Sequence, residues 1–255
     1  VVVLKIINNC INSFNKETAI KTISAKDSLE QITTGVLLDV RSPGEFRNGH
    51  WPGAHSLPLF SDEERAEVGT LYKRTSPDAA LLRGLEMVGP KMRTLIEDSR
   101  LLATDRDIVL HCWRGGQRSQ SVAWLLEKGG ASVQVIEGGY KALRTHGRER
   151  LTTFPFELFI LSGPTGSGKT KVLQAMAEQG GHFVDLEGLA HHKGSSFGAL
   201  GEAPQPTVEQ FENDLFAIFL ALDIEGSPLW LENESRSIGR VYIPEELWRR
   251  MLDSP

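Results

Sequence analysis

Short apolar runs and amphipathic segments alternate along the first half of the chain. The run "VLLDV" at 36–40 is bounded by Gly35 and the turn "RSPGE", which is typical of a buried parallel strand. The runs "DIVLHC" and "SVQVIEGG" have the same character, and "SQSVAWLLEKGG" between them has the spacing of an amphipathic helix. Strands that alternate with helices predict a parallel α/β sheet, which we expect to cover about 20–140.

Helical signals interrupt this alternation over 61–104. The sequence "SDEE" at Ser61 matches a capping box, and Ser76-Pro77 is typical of a helix start because proline fits the first turn. Apolar residues recur at helical spacing over 81–95, although Gly89-Pro90 is expected to break the run. We therefore predict a helical insertion in the sheet domain.

The alternation restarts beyond a basic segment at 141–153. A strand in "FELFILSG", a helix from Lys169, a strand in "HFVDLE", a helix near 207–222 and a strand in "PLWLENE" predict a second α/β domain over 154–255. Nucleotide-binding sheets commonly have about five strands or more, so three predicted strands suggest a domain that is truncated at its C-terminal end. The opening "VVVLKII", within an N-terminal extension over 1–20, is typical of a strand.

Composition narrows the class of protein. The chain has 255 residues, 40% of them hydrophobic and 24% charged, which is typical of a soluble protein with two domains. No apolar run approaches the roughly 20 residues that a membrane-spanning helix needs, so we expect a cytoplasmic protein without a membrane partner.

A net charge of −5 means that a nucleic acid would have to bind a local basic surface. The segment at 141–153 offers one, with Lys141, Arg144 and Arg148 as candidate contacts to a nucleic acid. The alternative is a solvated linker helix, because runs of charge are usually exposed to water.

The stretch "HCWRGGQRS" places a cysteine between a strand and a helix. Backbone amides of such a loop and the N-terminus of the helix stabilise a thiolate, and nearby arginines add full positive charges. We therefore predict Cys112 as a nucleophile, whereas the alternative is a buried structural cysteine. The expected anion-binding loop comprises Trp113, Arg114, Gly115, Gly116, Gln117, Arg118 and Ser119.

Two chemistries fit this loop. The pattern H-C-x-x-G-x-x-R-S matches cysteine-dependent phosphatases, in which the arginine binds phosphate with two hydrogen bonds. The upstream stretch "LLDVRSPGEFRNGHWPGA" instead resembles rhodanese-like domains, and a phosphatase acid is not evident because Gly53 follows Trp51-Pro52. The resemblance favours a rhodanese-like domain, in which the cysteine carries a transferable chalcogen.

The stretch "GPTGSGKT" matches the P-loop pattern G-x-x-x-x-G-K-[ST] and lies between a predicted strand and a predicted helix. Its amides and lysine are expected to bind a diphosphate or triphosphate, and the hydroxyl of Thr170 is expected to hold Mg²⁺. The predicted phosphate-binding residues are Gly163, Thr165, Gly166, Ser167, Gly168, Lys169 and Thr170.

Acids beyond the P-loop suggest how the metal ion is held. Glu232 and Glu234 follow an apolar strand and are candidates to assist Mg²⁺. Asp185, His191 and His192 lack a recognisable ligand spacing, so we expect no other metal.

Seven stretches together resemble the bacterial tRNA 2-selenouridine synthase family, in which a rhodanese-like domain precedes a P-loop domain. They are "DVRSPGEF", "LPLFSDEERAEVGTLYK", "HCWRGGQRS", "IEGGYKALR", "GPTGSGKT", "DLEGLAHHKGSSFG" and "LWLENESRSIG". The resemblance implies an α/β fold in which a rhodanese-like parallel-sheet domain over 21–140 is followed by a P-loop NTPase-like domain over 154–255.

The same resemblance implies a reaction. The family replaces the sulfur of a wobble 2-thiouridine in tRNA with selenium from selenophosphate, through an S-geranyl intermediate made from geranyl diphosphate. It would place the chalcogen on Cys112, a diphosphate on the P-loop, and a selenophosphate-producing enzyme upstream as donor. A cysteine-dependent phosphatase and a non-catalytic persulfide carrier or tRNA-binding module remain the alternatives.

Overall fold

The computed structural model describes residues 19–164, 167–195, 197–222, 224 and 227–255. The chain forms two compact units: residues 48–52 and 144–255 make up the second, and the other residues make up the first. The strand expected in "VVVLKII" lies outside the described residues. None of the described helices is both long and apolar enough to cross a membrane.

The first unit contains a sheet of five parallel strands in the order β1-β5-β4-β2-β3. Strands β2 and β4 are buried along their whole length, because helices cover both faces of a parallel sheet and leave little room for polar side chains. The sheet confirms the α/β prediction for this half of the chain. The strands are β1 (Thr22–Ile23), β2 (Val36–Asp39), β3 (His55–Ser56), β4 (Ile108–His111) and β5 (Val133–Ile136).

Three helices form the predicted insertion between β3 and β4. The first begins with the predicted capping box at Ser61, and the second begins at Pro77 with Ser76 as its N-cap. A 3₁₀ turn at Gly89–Lys91 confirms the expected break. The helices up to the end of this unit are α1 (Ala25–Thr34), α2 (Pro43–Asn48), α3 (Asp62–Arg74), α4 (Pro77–Val88), α5 (Met92–Ala103), α6 (Gln117–Lys128) and α7 (Gly139–Thr153).

The second unit has a parallel sheet in which β8 lies between β6 and β7. These are the three predicted strands, but the strand count was too low because β9 and β10 form an additional antiparallel hairpin. Strands of two residues are too short to produce a hydrophobic pattern. The elements are β6 (Leu158–Leu161), α8 (Lys169–Glu178), β7 (His182–Val184), α9 (Leu186–Ala190), α10 (Val208–Ala221), β8 (Leu229–Glu232), β9 (Ser237–Ile238), β10 (Val241–Tyr242) and α11 (Glu245–Leu252).

Helix α7, which covers the segment predicted as a basic linker helix, also has a buried apolar face. Leu143, at the end of the first unit, and Leu151, in the second, are both fully buried. Within the second unit Gly147 packs so closely on Phe216 that a side chain at 147 would overlap it. The apolar positions of this helix therefore belong to the hydrophobic cores, and only its polar face is exposed.

Candidate functional site

The loop that follows β4 holds Cys112 at the end of a buried strand. The amide of Tyr140 donates to the Cys112 carbonyl at 3.0 Å, and the amide of Lys141 donates to the Trp113 carbonyl at 3.1 Å. Gly139, with φ +59°, leaves no space for a side chain because a Cβ would overlap the carbonyl oxygen of Cys112. The start of α7 thus fixes the backbone of the loop, which explains the glycines of "IEGGYKALR".

The sulfur of Cys112 is surrounded by hydrogen-bond donors. Its Sγ lies 3.3 Å from the Ser119 Oγ. Burial raises the pKa of this thiol, but the Ser119 hydroxyl, the amides of Arg114 and Ser119, and the charge of Arg118 outweigh burial and lower the pKa overall. The loop therefore favours the thiolate, which is the nucleophilic form of cysteine.

Cys112 is only 3% exposed and packs within the apolar core of the first unit. The sulfur is therefore buried, as the alternative prediction of a structural cysteine required. Cys112 is buried because it directly follows β4, a central strand that is buried along its whole length. The two alternatives predicted for Cys112, a buried cysteine and a thiolate stabilised by its loop, are therefore both found in this structure.

The other predicted loop residues have distinct positions. Gly115 adopts φ +67°, and a Cβ there would lie 2.5 Å from the Ile136 carbonyl oxygen. Arg114, Gly116 and Gln117 are exposed. The ring of Trp113 lies 5.6 Å from the ring of Tyr140. An exposed rim thus surrounds the buried sulfur.

Arg118 is held by the carboxylate of Glu45, which is not among the predicted site residues. Its Nη1 lies 2.9 Å from Glu45 Oε2, which is also 3.5 Å from the Nε of Arg65. Burial raises the pKa of Glu45, but the hydrogen bond and charge of Arg118 lower it overall. Glu45 stays ionised and orients the guanidinium of Arg118; its place in "DVRSPGEF" was the available signal.

A buried ion pair lies at the end of strand β2, beside the end of β4. Arg41 Nη2 is 2.6 Å from Asp39 Oδ2, and both side chains are at most 1% exposed. The Arg41 guanidinium also lies 3.7 Å from the ring centroid of Tyr140, and the ring of His111 stacks on the same tyrosine. Burial lowers the pKa of His111, so this imidazole is neutral near pH 7. These contacts fix the strand ends from which the cysteine loop begins.

An apolar groove borders the cysteine loop in the first unit. It is formed by α3, α4 and α6, and Gln117 and Arg118 line one end of it. The part beside the loop measures about 150 Å³, and a second part of about 390 Å³ lies towards Trp124. Leu81 and Leu85 are more than half exposed here, so a hydrocarbon chain can reach them.

The second candidate site is a cleft of about 730 Å³ at the P-loop. Gly168 adopts φ +86° and Lys169 begins α8, so the motif lies between strand and helix as predicted. The Nζ of Lys169 lies 3.4 Å from the Gly163 carbonyl oxygen. Gly163, Ser167 and Thr170 are also described, whereas Thr165 and Gly166 lie outside the described residues.

Strand pairing brings acids to this cleft. In the parallel register Leu161 of β6 is opposite Glu232 of β8, and the Asn233 amide donates to the Leu161 carbonyl at 3.0 Å. One carboxylate oxygen each from Glu187, Glu232 and Glu234 lies within 4.8 Å of the others. Glu187 was not among the predicted acids, although it belongs to the quoted stretch "DLEGLAHH".

The proximity of these acids changes their ionisation. Burial, followed by the charges of Glu234 and Glu232, raises the pKa of Glu187 to about 7. Burial likewise raises the pKa of Glu234, although the charge of Lys169 opposes this effect. Like charges held close together disfavour full ionisation.

Asp185 and His191, which were also considered as ligands, have structural contacts. Asp185 caps α9, since its Oδ1 accepts a 2.7 Å hydrogen bond from the Gly188 amide. The Nδ1 of His191 lies 2.9 Å from the Pro204 carbonyl oxygen. His192 lines the P-loop cleft.

The three basic residues proposed to contact tRNA differ in exposure. Lys141 is exposed. Arg144 is 15% exposed, forms an ion pair with Glu212 and donates to Asn213 Oδ1 at 2.7 Å. Arg148 is 49% exposed and lies 3.8 Å from Glu212. The side chain of Arg144 thus has a structural role.

Two family models match this chain, one in each half. A family model described as "Rhodanese-like domain" matches residues 23–146, and one described as "tRNA 2-selenouridine synthase AAA domain" matches residues 156–255. A solved rhodanese-related protein from Thermoplasma volcanium is 20% identical, with a TM-score of 0.33, covering 50% of this chain and 94% of its own. The family matches confirm the predicted fold class.

Curated relatives match across both units. The chain is 42% identical over 232 residues to a tRNA 2-selenouridine synthase from Bdellovibrio bacteriovorus, covering 86% of this chain and 59% of the relative. It is 41% identical over 240 residues to one from Cronobacter sakazakii, covering 90% and 62%. The chain thus spans less than two thirds of the length of these relatives.

Proposed function

The chain belongs to the tRNA 2-selenouridine synthase family in both of its domains, and we propose that it carries the active sites of a tRNA-modifying selenium transferase. Its substrate is a tRNA with 2-thiouridine at the wobble position. Selenium comes from selenophosphate, made by a separate donor enzyme, and an S-geranyl intermediate is formed from geranyl diphosphate. The observation that carries the proposal is the donor-lined sulfur of Cys112.

In this proposal the selenium-transfer step takes place at the cysteine loop. The amides of Arg114 and Ser119 and the charge of Arg118 stabilise a negative sulfur, and donors of this kind also suit the negatively charged selenium of a selenophosphate bound beside Cys112. This selenium attacks C2 of the S-geranyl uridine, the C2–S bond breaks as geranyl thiolate leaves, and water then cleaves the Se–P bond and releases phosphate. Geranylation prepares the tRNA for this step, because an alkylated sulfur leaves C2 as a thiolate whereas a thiocarbonyl sulfur is a poor leaving group.

In the same proposal the P-loop binds the diphosphate group of geranyl diphosphate. Lys169 and the N-terminus of α8 provide positive charge at the cleft. Mg²⁺ bound at Thr170, assisted by Glu232 or Glu234, would neutralise the leaving diphosphate when the thiocarbonyl sulfur takes the geranyl group. The residues fit this role because a hydroxyl and carboxylates are the oxygen ligands that Mg²⁺ prefers.

The apolar groove supports an intermediate with a hydrocarbon chain. Its apolar wall offers contact to a geranyl group, and Arg118 at its end lies beside the sulfur that Cys112 contributes. Removing such a chain from water is favourable by about 25 cal/mol for each Å² of apolar surface. We therefore place the S-geranyl group of the tRNA in this groove during selenium transfer.

The tRNA contacts in this proposal rest on exposed positive charges of α7. Lys141 and Arg148 are exposed, whereas Arg144 is engaged by Glu212 and Asn213. Lys141→Gln and Arg148→Gln are expected to weaken tRNA binding and to reduce its salt dependence by about one unit of slope each. Unchanged salt dependence in both variants would remove α7 from the tRNA surface.

The test uses the full-length protein with tRNA, selenophosphate and geranyl diphosphate, followed by mass spectrometry of the tRNA. Cys112→Ala is expected to abolish selenium incorporation while geranylated tRNA still forms, and Lys169→Ala is expected to abolish geranylation. Cys10→Ser is the matched control and should keep full activity. Normal 2-selenouridine formation by Cys112→Ala would exclude the proposed role of this residue.

The same experiment separates the alternatives. A cysteine-dependent phosphatase would release phosphate from an aryl phosphate in the absence of tRNA and leave the tRNA unmodified. A persulfide carrier would load a chalcogen on Cys112 without geranylating or selenating the tRNA.

A further inference from the structure

Three glutamates converge at the P-loop cleft of the second unit. Glu187 lies on α9, Glu232 ends β8 and Glu234 follows two residues later. We call these three residues the carboxylate cluster, since one oxygen of each lies within 4.8 Å of the other two. The three acids come from two neighbouring parallel strands and the segments that follow them, so the sheet itself brings them together.

The buried member of the cluster has an unused hydrogen-bonding atom. Glu232 is only 2% exposed, and its Oε1 has no hydrogen-bond partner among the residues that the structure describes. A buried carboxylate oxygen without a partner is costly and rare in folded proteins. An oxygen of Glu232 lies within the cluster, so a ligand bound there can compensate for this cost.

Gly194 shows how closely the other two acids approach each other. A Cβ at this position would lie 2.6 Å from Glu187 Oε1 and 2.6 Å from Glu234 Oε2. Gly194 also adopts φ +65°, a conformation that favours glycine. The two carboxyl groups therefore reach over the same small residue and are close enough to share a hydrogen bond, and a side chain at 194 would displace them.

The charges of the cluster are not balanced by the protein groups around it. Lys169 acts on Glu234, and Lys193 acts on Glu187, although Lys193 is 68% exposed and also forms an ion pair with Glu202. When all three carboxylates are ionised, these lysines leave an excess of negative charge in a partly buried site. Such an arrangement is stable when a bound cation supplies the missing charge.

The size of the cluster suits a divalent cation with oxygen ligands. Such ions bind carboxylate oxygens at about 2.0–2.6 Å, so oxygens on opposite sides of one ion lie about 4–5 Å apart. The 4.8 Å spread of the cluster falls within this range. Carboxylates select Mg²⁺, Mn²⁺ or Ca²⁺ over metals that prefer nitrogen or sulfur.

We propose that Glu187, Glu232 and Glu234 together bind one divalent cation of this class in the absence of any phosphate ligand. Glu187 is thus a metal ligand, in addition to the acids that assist Mg²⁺ in the proposed function. This inference depends on the proposed function in one respect only, namely which diphosphate later binds to the cation. A preloaded cation gives the anionic cleft the charge that an incoming diphosphate requires.

The test is a titration of the full-length protein with Mn²⁺ alone, followed by the electron paramagnetic resonance signal of free Mn²⁺. The wild-type protein is expected to remove Mn²⁺ from solution at one site. Glu187→Gln and Glu232→Gln, which keep the shape of the side chain, are expected to weaken binding at least tenfold. Glu178→Gln, an exposed acid on α8, is the matched control and should bind as the wild type does.

Thermal unfolding of the same samples excludes a folding defect. Mn²⁺ should raise the melting temperature of the wild type and of Glu178→Gln, because a ligand of the native state stabilises it. It should leave that of Glu187→Gln nearly unchanged. Binding by Glu187→Gln with wild-type affinity, or no binding by the wild type at millimolar Mn²⁺, would overturn the proposal.

The outcome is independent of the transferase reaction. The titration contains no tRNA, selenophosphate or prenyl diphosphate, so failure of the metal site would leave the proposed function standing. Conversely, a protein that binds Mn²⁺ through Glu187 but does not modify tRNA would retain the metal site and lose the proposed function.

Discussion

Replacing Ser119 with alanine tests how the protein stabilises a buried thiolate. The Ser119 hydroxyl lies 3.3 Å from the sulfur of Cys112 and 3.0 Å from the Gly116 carbonyl oxygen. A hydroxyl has one hydrogen and can donate to only one of them. With a neutral thiol, the hydroxyl donates to Gly116 and accepts from the sulfur; with a thiolate, it must donate to the sulfur instead.

The expected effect follows from this exchange. A hydrogen bond to a charged group contributes about 1.5–3 kcal/mol, and the neutral one that is given up contributes about 1 kcal/mol. The difference of roughly 0.5–2 kcal/mol has its centre near the value of about 1.4 kcal/mol that corresponds to one pKa unit. Ser119→Ala is therefore expected to raise the pKa of Cys112 by about one unit, while the amides and Arg118 keep their share of the stabilisation.

The assay is the rate of alkylation by iodoacetamide as a function of pH, measured by mass spectrometry of the peptide that contains Cys112. The rate follows the thiolate fraction, so below the pKa it should fall about tenfold in Ser119→Ala. The peptide with Cys10 provides an internal reference. Ser121→Ala, on the exposed face of the same helix, is the matched control.

A midpoint for Ser119→Ala equal to that of the wild type would refute this reasoning. It would mean that the thiolate depends on the loop amides and Arg118 alone. A raised midpoint in Ser121→Ala as well would point to a general effect on the helix rather than to the Ser119 hydroxyl.

Three further changes probe the support of the loop and the groove. Asp39→Asn removes the carboxylate charge that pairs with the buried guanidinium of Arg41 and should lower the free energy of unfolding by about 3–5 kcal/mol in urea denaturation. Gly139→Ala should cost about 2–3 kcal/mol because of its positive φ and the overlap with the loop. Leu85→Glu, at a position 59% exposed, should change stability by less than about 0.5 kcal/mol yet slow selenation of S-geranyl tRNA severalfold.

Each of these changes has a matched comparison. Gly116→Ala introduces a methyl group into open space and should cost less than about 0.5 kcal/mol; an equal cost at Gly116 and Gly139 would contradict the packing argument. Stability of Asp39→Asn near that of the wild type would show that Arg41 has another counter-charge. Lys128→Glu, away from the groove residues, is the charge control for Leu85→Glu, and equal selenation rates in wild type and Leu85→Glu would remove the groove from the reaction.

The parts of the sites that sequence revealed are those whose chemistry is local. The cysteine loop and the P-loop each join a strand to a helix within about ten residues, and their glycines, arginines and lysine have fixed spacing. The position of Cys112 after β4 and of Lys169 at the start of α8 follows from that spacing. Capping signals at Ser61 and Ser76 are local in the same sense, and both were confirmed.

The parts that sequence missed depend on pairing between distant segments. Glu187 meets Glu232 only because β7 and β8 pair with His182 opposite Leu229, and no local pattern specifies that register. The burial of Cys112 likewise depends on β4 being a central strand. Helix α7 was judged by its charges, whereas the buried Leu143 and Leu151 decide where it lies.

The two sites differ in the charges around them, and this difference limits which ligands each can bind. In the first unit, donors and Arg118 surround one sulfur, so an additional anion on that sulfur meets positive potential without further help. In the second unit, Lys169 and the start of α8 would attract the diphosphate of the proposed function, whereas ionised Glu187, Glu232 and Glu234 would repel it at the same cleft. This repulsion is relieved by protonation of the acids or by a cation between them and the phosphates. In the second case the acids and the P-loop form one binding site whose third component is the ion.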